Sequence, residues 1–383
     1  MHILLLPSFY PEKERPVNGM FFRQQATALA KKVSKVGVVY VEQKSLKSFW
    51  KPPFTNRYQF TSKLQNDVIT YTIHGVSLLN QYKLGRGVWV FAMCKLVEKY
   101  IKDQGCPDII HVHNCFNAGF VAKKIFKKYQ IPYVITEHAS GFLMNEYTTQ
   151  QLTKCKEVFN SATVVIAVSN KLATSLKRMC DSRVLVVPNI VNTDFFFPSE
   201  KPAENEIFQF VSVGNLLPNK GHLFLIEAFS KAFSGKKNVR LVICGDGPER
   251  NNLLSIIEQK ILNEQVTLTG KLLPDDLLSV YHSSKCLIVP SQHETFGVVI
   301  IEALSCGLPV IATRSGGPED IINKDNGLLI NYGNHHELII AMHTIIEKFS
   351  DYQPEKIRED AINKYSENWV TSKLLAVYSG QAN

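Results

Sequence analysis

The chain has 383 residues, of which 45% are hydrophobic and 20% are charged. This length is too great for one ordinary hydrophobic core and favours two domains of about 150–200 residues each. The composition excludes a disordered protein, and no apolar run reaches the roughly 18 residues that a membrane span requires. The apolar start at residues 1–6 is followed at once by Pro7, which favours a buried strand over a signal peptide.

The eight cysteines are scattered, without a C-x-x-C pair or the spacing of metal ligands. Several lie in apolar runs such as Leu241–Cys244, where a free thiol packs as a small hydrophobic group. We therefore expect reduced cysteines in a cytoplasmic protein, and no structural zinc.

The net charge of +9 is unevenly distributed along the chain. Residues 1–195 hold 26 lysines and arginines against 12 acidic residues, which leaves 17 against 22 for the remainder. A strongly basic half indicates an anionic partner. The charges are dispersed and no nucleic-acid-binding module is recognisable, so we predict an anionic membrane surface as a partner and no nucleic acid.

Short β-branched runs alternate with longer amphipathic stretches along the chain. In the first half, the pattern predicts helices at 21–32 and 119–129 and buried strands at 36–41, 109–113, 133–136, 164–168 and 184–187. After residue 200 it predicts strands at 208–213, 239–244, 265–269, 286–289 and 309–312. Residues 194–202, with two prolines, separate the halves. We therefore predict an α/β fold of two Rossmann-like domains, each a doubly wound parallel sheet, facing each other across a cleft.

Two common phosphate-binding motifs are missing from the sequence. The nearest approach to a dinucleotide fingerprint, Gly245–Arg250, lacks the third glycine, so no redox cofactor is expected. A D-x-D motif that would hold a metal and a phosphate is also absent. Any bound phosphate must then be held by amide groups and cationic side chains, and we predict neither a cofactor nor a metal.

Residues 290–307 carry the most chemical information. They follow a predicted strand and begin a helix near Phe296, with Gly307 as its stop. The first amides of this helix have no partner within the helix and form an anion site. These amides belong to Gly297, Val298 and Val299.

Two glutamates flank this anion site. Glu302 lies about 7.5 Å along the axis from the helix start, which suits a ribose attached to a diphosphate bound there. Glu294 precedes the helix and would lie beyond the other end of the diphosphate, where a donor sugar sits. Two glutamates eight residues apart are more often a solvated helix face, but the strand–loop–helix context favours a site.

With this segment, the chain resembles the retaining glycosyltransferases of family 4, of the group 1 type, which have the GT-B fold. The E-x7-E pattern of that family is Glu294 to Glu302. Other landmarks match in order over nearly the full length: Gly19, His111-Val112-His113, Thr136-Glu137-His138, Val187-Pro188-Asn189, Val213–Leu216, Lys220-Gly221, Gly245–Glu249 and Gly316-Gly317. The resemblance implies an acceptor-side domain at 1–196, a nucleotide-sugar-binding domain at 197–365, and a last helix within 366–383 that crosses back to the first domain.

The resemblance also implies roles for individual residues. Lys220 would neutralise the diphosphate as it departs, which is the largest charge developed in the reaction. Glu302 resembles the ribose ligand of the family and Glu294 its hexose ligand. His138, at the carboxyl end of a strand, would contact the donor sugar near the reacting centre. The implied catalytic residues are His138, Lys220 and Glu294, and the implied donor-binding residues are Gly19, Asn215, Lys220, Glu294, Phe296, Gly297, Val298, Val299 and Glu302.

Three further positions complete this interpretation. Asn215 stands where the family usually has an arginine, and a neutral hydrogen bond is roughly half as strong as a charge-assisted one. Arg314, beside Gly316 and Gly317, is our candidate to supply the missing charge. His111 and His113 are interpreted as structural residues on opposite faces of their strand.

We predict a retaining, metal-independent transfer of a hexose-type sugar from a UDP- or GDP-sugar to an acceptor hydroxyl. The resemblance implies same-face attack in which the departing phosphate takes the acceptor proton, so no enzymic nucleophile is named. The expected role is assembly of a surface polysaccharide, lipopolysaccharide or glycolipid. Its acceptor would be lipid-linked or an oligosaccharide, at the inner face of the cytoplasmic membrane. Two alternatives stay open: a nucleotide-sugar epimerase of the same fold, and a catalytically silent nucleotide-sugar-binding homologue, which Asn215 alone supports.

Two segments that interleave basic and aromatic residues are candidates for membrane contact. Residues 44–54 contain Trp50 and paired prolines, which disfavour regular structure. Residues 82–91 contain Trp89 and Phe91. Residues 88–100 also fit an ordinary amphipathic helix with Trp89 in the core, so this second segment is the weaker candidate.

Overall fold

The computed structural model describes residues 1–11, 19–44, 59–76, 83–200 and 207–382. The chain forms two compact units, the first from Met1–Ile190 with Val370–Asn383 and the second from Val191–Trp369. The N-terminal stretch of the first unit therefore ends at Ile190, and the predicted boundary was at residue 196. No helix in the described ranges is long and apolar enough to cross a membrane.

The first unit is built on a sheet in which nearly all neighbouring strands are parallel. Its strands are β1 (His2–Pro7), β2 (Lys35–Lys44), β3 (Gln59–Gln65), β4 (Val68–Val76), β5 (Ile109–His113), β6 (Tyr133–Glu137), β7 (Val164–Ala167) and β8 (Val184–Val186). Its helices are α1 (Met20–Ala30), α2 (Lys83–Gln104), α3 (Phe120–Tyr129), α4 (Gly141–Met144), α5 (Thr149–Asn160) and α6 (Asn170–Lys177). A wide turn at Cys115–Gly119 joins β5 to α3.

The order of the strands in this sheet is β3-β4-β2-β1-β5-β6-β7-β8. Only β3 and β4 pair in antiparallel fashion among the described strands, as a hairpin at the edge. Every residue of β5, β6 and β7 is buried. Continuous burial along a strand is typical of a parallel sheet that is covered on both faces.

The second unit repeats this architecture with a fully parallel sheet. Its strands are β9 (Phe208–Val213), β10 (Val239–Cys244), β11 (Val266–Gly270), β12 (Cys286–Val289), β13 (Val310–Thr313) and β14 (Gly327–Ile330). Its helices are α7 (His222–Phe233), α8 (Arg250–Gln259), α9 (Pro274–Ser283), α10 (Val298–Ser305), α11 (Pro318–Ile321), α12 (His335–Glu347) and α13 (Pro354–Tyr365). The last helix, α14 (Glu367–Tyr378), ends within the first unit. The prediction of two parallel-sheet α/β domains is confirmed.

The strand order of the second sheet positions the candidate site. The order is β11-β10-β9-β12-β13-β14, and all of these pairs are parallel. The carboxyl ends of parallel strands lie at one edge of a sheet, which is where doubly wound folds bind ligands. The loops after β9, β12 and β13 meet there, because Gln292 N donates to Asn219 O at 2.8 Å and Gly317 N donates to Glu294 O at 2.7 Å.

Candidate active site

The start of α10 has the geometry of an anion site. Gly297 caps the helix in the left-handed region, with φ 91°, and the helix begins at Val298. The left-handed φ at position 297 favours glycine, and an added Cβ atom would lie 2.8 Å from Ile300 Cδ1. The amides of Val298 and Val299 have no acceptor within the helix because they belong to its first turn. The sequence pattern placed the start of this helix near Phe296, and the structure places it two residues later, at Val298.

The C-terminal end of α10 agrees with the sequence prediction. The helix ends at Ser305, and Gly307 adopts the left-handed conformation with φ 78°. A Cβ atom at Gly307 would lie 2.7 Å from Pro354 Cβ. Glycine is therefore needed here both to end the helix and to let α13 approach.

Lys220 and Glu294 form an ion pair beside the start of α10. Lys220 Nζ donates to Glu294 Oε2 at 2.6 Å, and the two side chains are only 26% and 15% exposed. Lys220 ends a short helical turn, and Gly221 follows it with φ 72°. A Cβ atom at Gly221 would lie 2.0 Å from the carbonyl oxygen of Pro290. Close contact between these two loops thus fixes the lysine near the glutamate.

Glu302 lies one turn into α10 and has a buried partner. The hydroxyl of Tyr281 donates to Glu302 Oε2 at 3.0 Å. Burial raises the pKa of Glu302 to about 7, and it raises the pKa of the Tyr281 hydroxyl well above the usual value of a tyrosine. Tyr281 therefore remains a hydrogen-bond donor and orients the carboxylate. Sequence reasoning missed Tyr281, because nothing in the pattern of α9 distinguishes it from a core aromatic residue.

The loop after β13 supports the backbone of Glu294. Glu294 N donates to Ser315 O at 3.2 Å, and a Cβ atom at Gly317 would lie 2.3 Å from Phe296 Cα. The side chain of Phe296 is 3% exposed, and its ring meets that of Tyr365 edge-on. The Phe296 side chain therefore packs within the unit, and its contact with a donor stays a prediction.

Asn215 and Arg314 both have exposed side chains at this edge of the sheet. Asn215 follows Gly214, whose carbonyl oxygen lies 1.8 Å from where a Cβ atom at Gly245 would be, so the loops after β9 and β10 are also in contact. Arg314 contributes to the lowered pKa of Glu337, although the amide of Asn331 is the main cause. Arg314 therefore lies near an acidic side chain.

His138, in the first unit, is held by a buried carboxylate. Glu137 Oε1 accepts hydrogen bonds from the amides of His138 and Ala139, both at 2.9 Å, and Glu137 Oε2 accepts one from Cys115 N at 2.9 Å. Burial raises the pKa of Glu137 to about 7. These bonds fix the backbone where β6 ends, so Glu137 positions His138. Glu137 belongs to the T-E-H motif, but the sequence alone did not indicate this role.

The His138 ring lies among aromatic side chains. The ring centroids of Phe21 and Phe22 are both 5.3 Å from that of His138. Burial lowers the pKa of His138 to about 3, so the imidazole is neutral at physiological pH. His113 Nδ1 lies 3.1 Å from His138 Nε2. The prediction that His111 and His113 face opposite sides was wrong, because residues two apart in a strand share a face and their ring centroids are 4.3 Å apart.

Gly19 caps α1 in the first unit. It has φ 74°, and a Cβ atom would lie 3.0 Å from the Phe9 ring. The buried stripe of α1 contains Gln25 among Phe22, Ala26 and Leu29. A polar residue in an apolar stripe is a signal that the sequence reasoning passed over, and Gln25 contacts the histidines of β5.

The structure therefore brings Lys220, Glu294 and the first amides of α10 together in the second unit, with Glu302 on the same helix. His138 and Gly19 belong to the first unit. Among the described residues, no group of three or more His, Cys, Asp or Glu side chains is placed to hold a metal ion.

Comparisons with known proteins identify the class as that of the glycosyltransferases. The family described as "Glycosyl transferases group 1" matches residues 192–364, and the family described as "Glycosyltransferase Family 4" matches residues 23–195. The chain belongs to this group 1, family 4 class and has the GT-B fold, as its motifs predicted.

Relatives and solved structures extend over most of the chain. The uncharacterised glycosyltransferase MJ1178 of Methanocaldococcus jannaschii is 29% identical over 73% of this chain and 76% of its own length. TuaC of Bacillus subtilis, a proposed glycosyltransferase of teichuronic acid biosynthesis, is 28% identical over 93% of this chain and 91% of its own. The sucrose-phosphate synthase structure from Thermosynechococcus elongatus covers 99% of both chains at 19% identity with a TM-score of 0.82.

Proposed function

We propose that this glycosyltransferase moves a hexose from a nucleoside-diphosphate sugar to an acceptor hydroxyl, with retention of anomeric configuration. The observation that carries the proposal is the juxtaposition of Lys220, Glu294 and the start of α10. A diphosphate at the amides of Val298 and Val299 would place the ribose towards Glu302 and the sugar towards Glu294. This assignment of donor groups to residues is a proposal and rests on that geometry together with the family.

Lys220 can serve a departing diphosphate without abandoning Glu294. An ammonium group has three donor hydrogens, so one can remain on Glu294 Oε2 while others reach phosphate oxygens. The helix-start amides and the lysine are fixed before the charge develops, which is the arrangement that stabilises a transition state most effectively. In the proposed reaction the departing phosphate accepts the acceptor proton, and no protein nucleophile takes part.

Several features bear on the donor and acceptor. The Anabaena HepE structure, described in complex with UDP and glucose, covers 99% of both chains at 19% identity with a TM-score of 0.75. UDP-sugars are therefore the first donors to test, followed by GDP-sugars. The relative TuaC is assigned to teichuronic acid biosynthesis, and we propose a surface polysaccharide or glycolipid precursor as the acceptor.

A nucleotide-sugar panel tests this function directly. We expect one donor to raise the thermal unfolding temperature by mass action and to release nucleoside diphosphate only when an acceptor is present. Conversion of the donor without an acceptor would indicate the epimerase alternative, and binding without release would indicate the silent homologue. Because amides and a lysine are proposed to hold the phosphates, we also propose that a metal chelator in excess leaves the rate unchanged. A rate that falls with chelator and recovers with a divalent ion would contradict this metal-independent scheme.

A further inference from the structure

A chain of buried polar groups in the first unit runs from α14 to His138. The Tyr378 hydroxyl lies 2.6 Å from His111 Nδ1, and Gln25 Nε2 lies 3.2 Å from the same nitrogen. Gln25 Nε2 also lies 3.4 Å from His113 Nε2, and His113 Nδ1 lies 3.1 Å from His138 Nε2. The side chains of Gln25, His111 and His113 are buried, so the hydrogens in this chain are ordered by protein groups.

The amide of Gln25 dictates where the hydrogens lie. Its nitrogen carries two hydrogens and accepts none, so it donates to His111 Nδ1 and to His113 Nε2. Both of these ring nitrogens must then be unprotonated. Burial lowers the pKa of His111 to about 3 and that of His113 well below its usual range, so both rings are neutral. Each ring therefore carries its single hydrogen on its other nitrogen.

The groups around His111 agree with this assignment. His111 Nε2 carries the hydrogen and donates to Thr136 Oγ1 at 2.7 Å, while the Tyr378 hydroxyl donates to Nδ1 and shares that lone pair with Gln25. Burial raises the pKa of Tyr378, so its hydrogen is retained. In the opposite orientation of the Gln25 amide, His111 Nδ1 would carry the hydrogen and donate to the Tyr378 hydroxyl oxygen, which would leave the hydroxyl hydrogen without an acceptor among the described residues. The orientation with the amide nitrogen towards the rings satisfies both groups.

The same order of hydrogens reaches His138. His113 carries its hydrogen on Nδ1 and donates to His138 Nε2, so the hydrogen of the neutral His138 ring lies on Nδ1. That nitrogen is buried and meets no partner in hydrogen-bond geometry among the described residues. The nearby Asn189 side chain partly offsets the depression of the His138 pKa by burial. His138 thus carries its N–H group on Nδ1, on a ring that lies close to the Asn189 side chain.

We propose that Gln25 and His113 are positioning residues that hold His138 as the neutral tautomer with its hydrogen on Nδ1. In this state His138 offers a substrate oxygen a hydrogen bond and cannot accept a proton at Nδ1. A sugar hydroxyl has lone pairs that suit such a donor. The part of this inference that concerns sugar transfer rests on the proposed function, whereas the tautomer of His138 does not.

Nitrogen-15 NMR of the full chain with labelled histidine tests the tautomer without a substrate. The His138 signals are assigned by their loss in His138→Asn. In the parent we expect a protonated Nδ1 and an unprotonated Nε2. In Gln25→Glu a carboxylate, which only accepts, replaces the donor, so we expect the hydrogen of His138 to move to Nε2. Gln24→Glu is the matched control, because it adds the same charge to the same helix at a partly exposed position, and it should leave the spectrum unchanged.

The parent spectrum decides the inference even if Gln25→Glu fails to fold, because a hydrogen on His138 Nε2 would overturn it. An unchanged His138 tautomer in a folded Gln25→Glu variant would also overturn it. For the transfer, we expect Gln25→Glu to lower kcat about tenfold, as for one lost hydrogen bond, with little change in the donor KM. A normal kcat with a reversed tautomer would overturn the role as a hydrogen-bond donor. Absence of transfer from every donor, with the parent tautomer as expected, would reject only the proposed function.

Discussion

Glu294 and Glu302 are carboxylates with different partners, so we expect their removal to affect catalysis and nucleotide binding differently. Glu294 is paired with Lys220, whereas Glu302 accepts the Tyr281 hydroxyl. If Glu294 binds the sugar and Glu302 the ribose, Glu294→Ala should lower kcat strongly and leave the Kd of the bare nucleoside diphosphate nearly unchanged. Glu302→Ala should weaken both the donor and the bare nucleotide. Isothermal titration with both ligands measures this, and equal nucleotide affinity in the parent and both variants would contradict the assignment.

The raised pKa of Glu302 predicts a pH dependence of donor binding. Ribose hydroxyls donate to an ionised carboxylate, so binding should strengthen as the pH rises through about 7 and level off above it. The donor itself must be used, because the terminal phosphate of a free nucleoside diphosphate, like other phosphate monoesters, titrates near about 6. Glu302→Gln should remove this step from a plot of Kd against pH. A step of the same size in Glu302→Gln would assign it to another group.

The raised pKa of Glu302 affects the stability of the fold in the opposite direction from donor binding. A carboxyl group whose pKa is higher in the folded than in the unfolded chain binds its proton more tightly when folded. Its contribution to the free energy of unfolding is therefore favourable at low pH and falls as the pH rises from about 4.5 to about 7. Glu137 has a pKa raised to about the same value by burial and acts in the same direction. As the pH rises, donor binding should therefore strengthen while the free energy of unfolding falls, over neighbouring pH ranges.

Lys220 is the cation that the structure holds beside Glu294, and Asn215 supplies no charge. Lys220→Ala should cost at least about 2 kcal/mol of transition-state stabilisation, comparable to the loss of one positioned electrostatic donor. Asn215→Arg, at an exposed position, should tighten donor binding by adding a charge-assisted hydrogen bond. The kcat/KM of both variants and of their combination measures the two effects. Near-normal activity in Lys220→Ala would direct attention to Arg314.

At the scale of elements, Gly297 tests whether the start of α10 carries the function. Gly297→Ala places a Cβ at φ 91° and 2.8 Å from Ile300 Cδ1, so we expect a loss of about 1–2 kcal/mol from conformation alone and a displaced helix start. Gly235→Ala is the matched control, because Gly235 has φ 78° but no atom within 4 Å of the added Cβ. Both variants should lose stability in urea unfolding, but only Gly297→Ala should lose donor affinity. Equal donor affinity in the two would contradict the anion site.

The elements differ in how far the sequence predicts them. Strands such as β5, β9, β10 and β12 are predicted to the residue, because each is a short run rich in apolar and β-branched residues that polar or turn-forming residues bound. The hairpin of β3 and β4 was missed, since its alternation of polar and apolar residues was not weighed and no α/β rhythm leads into it. The short β14 was missed as well, because Gly327–Ile330 begins with glycine and contains only one β-branched residue.

The candidate site likewise has residues that the sequence predicts and features that it does not predict. The glutamates and the lysine were predicted because a motif spacing fixes them on a strand–loop–helix unit. The start of α10 at Val298 depends on the left-handed φ of Gly297, which a hydrophobic pattern does not encode. The order of hydrogens from Gln25 to His138 depends on contacts between α1, β5 and β6 that are distant in sequence. Such tertiary hydrogen bonds follow only from coordinates.

At the scale of the whole molecule, the excess of basic residues in the first half motivates a docking proposal. We propose that the first unit contacts an anionic membrane surface, where each Lys or Arg gains about 1 kcal/mol from anionic lipid. On α2, Trp89 is 5% exposed and belongs to the core, as the alternative interpretation held, whereas Val88 and Phe91 are 60% and 62% exposed. Lys95 Nζ lies 5.9 Å from the centroid of the Phe91 ring. Residues 45–54, the stronger candidate from sequence, lie outside the described residues.

Sedimentation with vesicles separates these two segments. We expect binding to anionic vesicles that weakens as salt rises, because screening shortens the range of the attraction to about 10 Å at 0.1 M salt. Replacement of Lys47, Trp50 and Lys51 by Ser should lower binding more than replacement of Val88 and Phe91. Ile340→Ser is the control, since it removes an exposed apolar residue from α12 in the second unit. Equal binding to neutral and anionic vesicles, or no binding at low salt, would refute docking through the basic half while the transferase assignment stands.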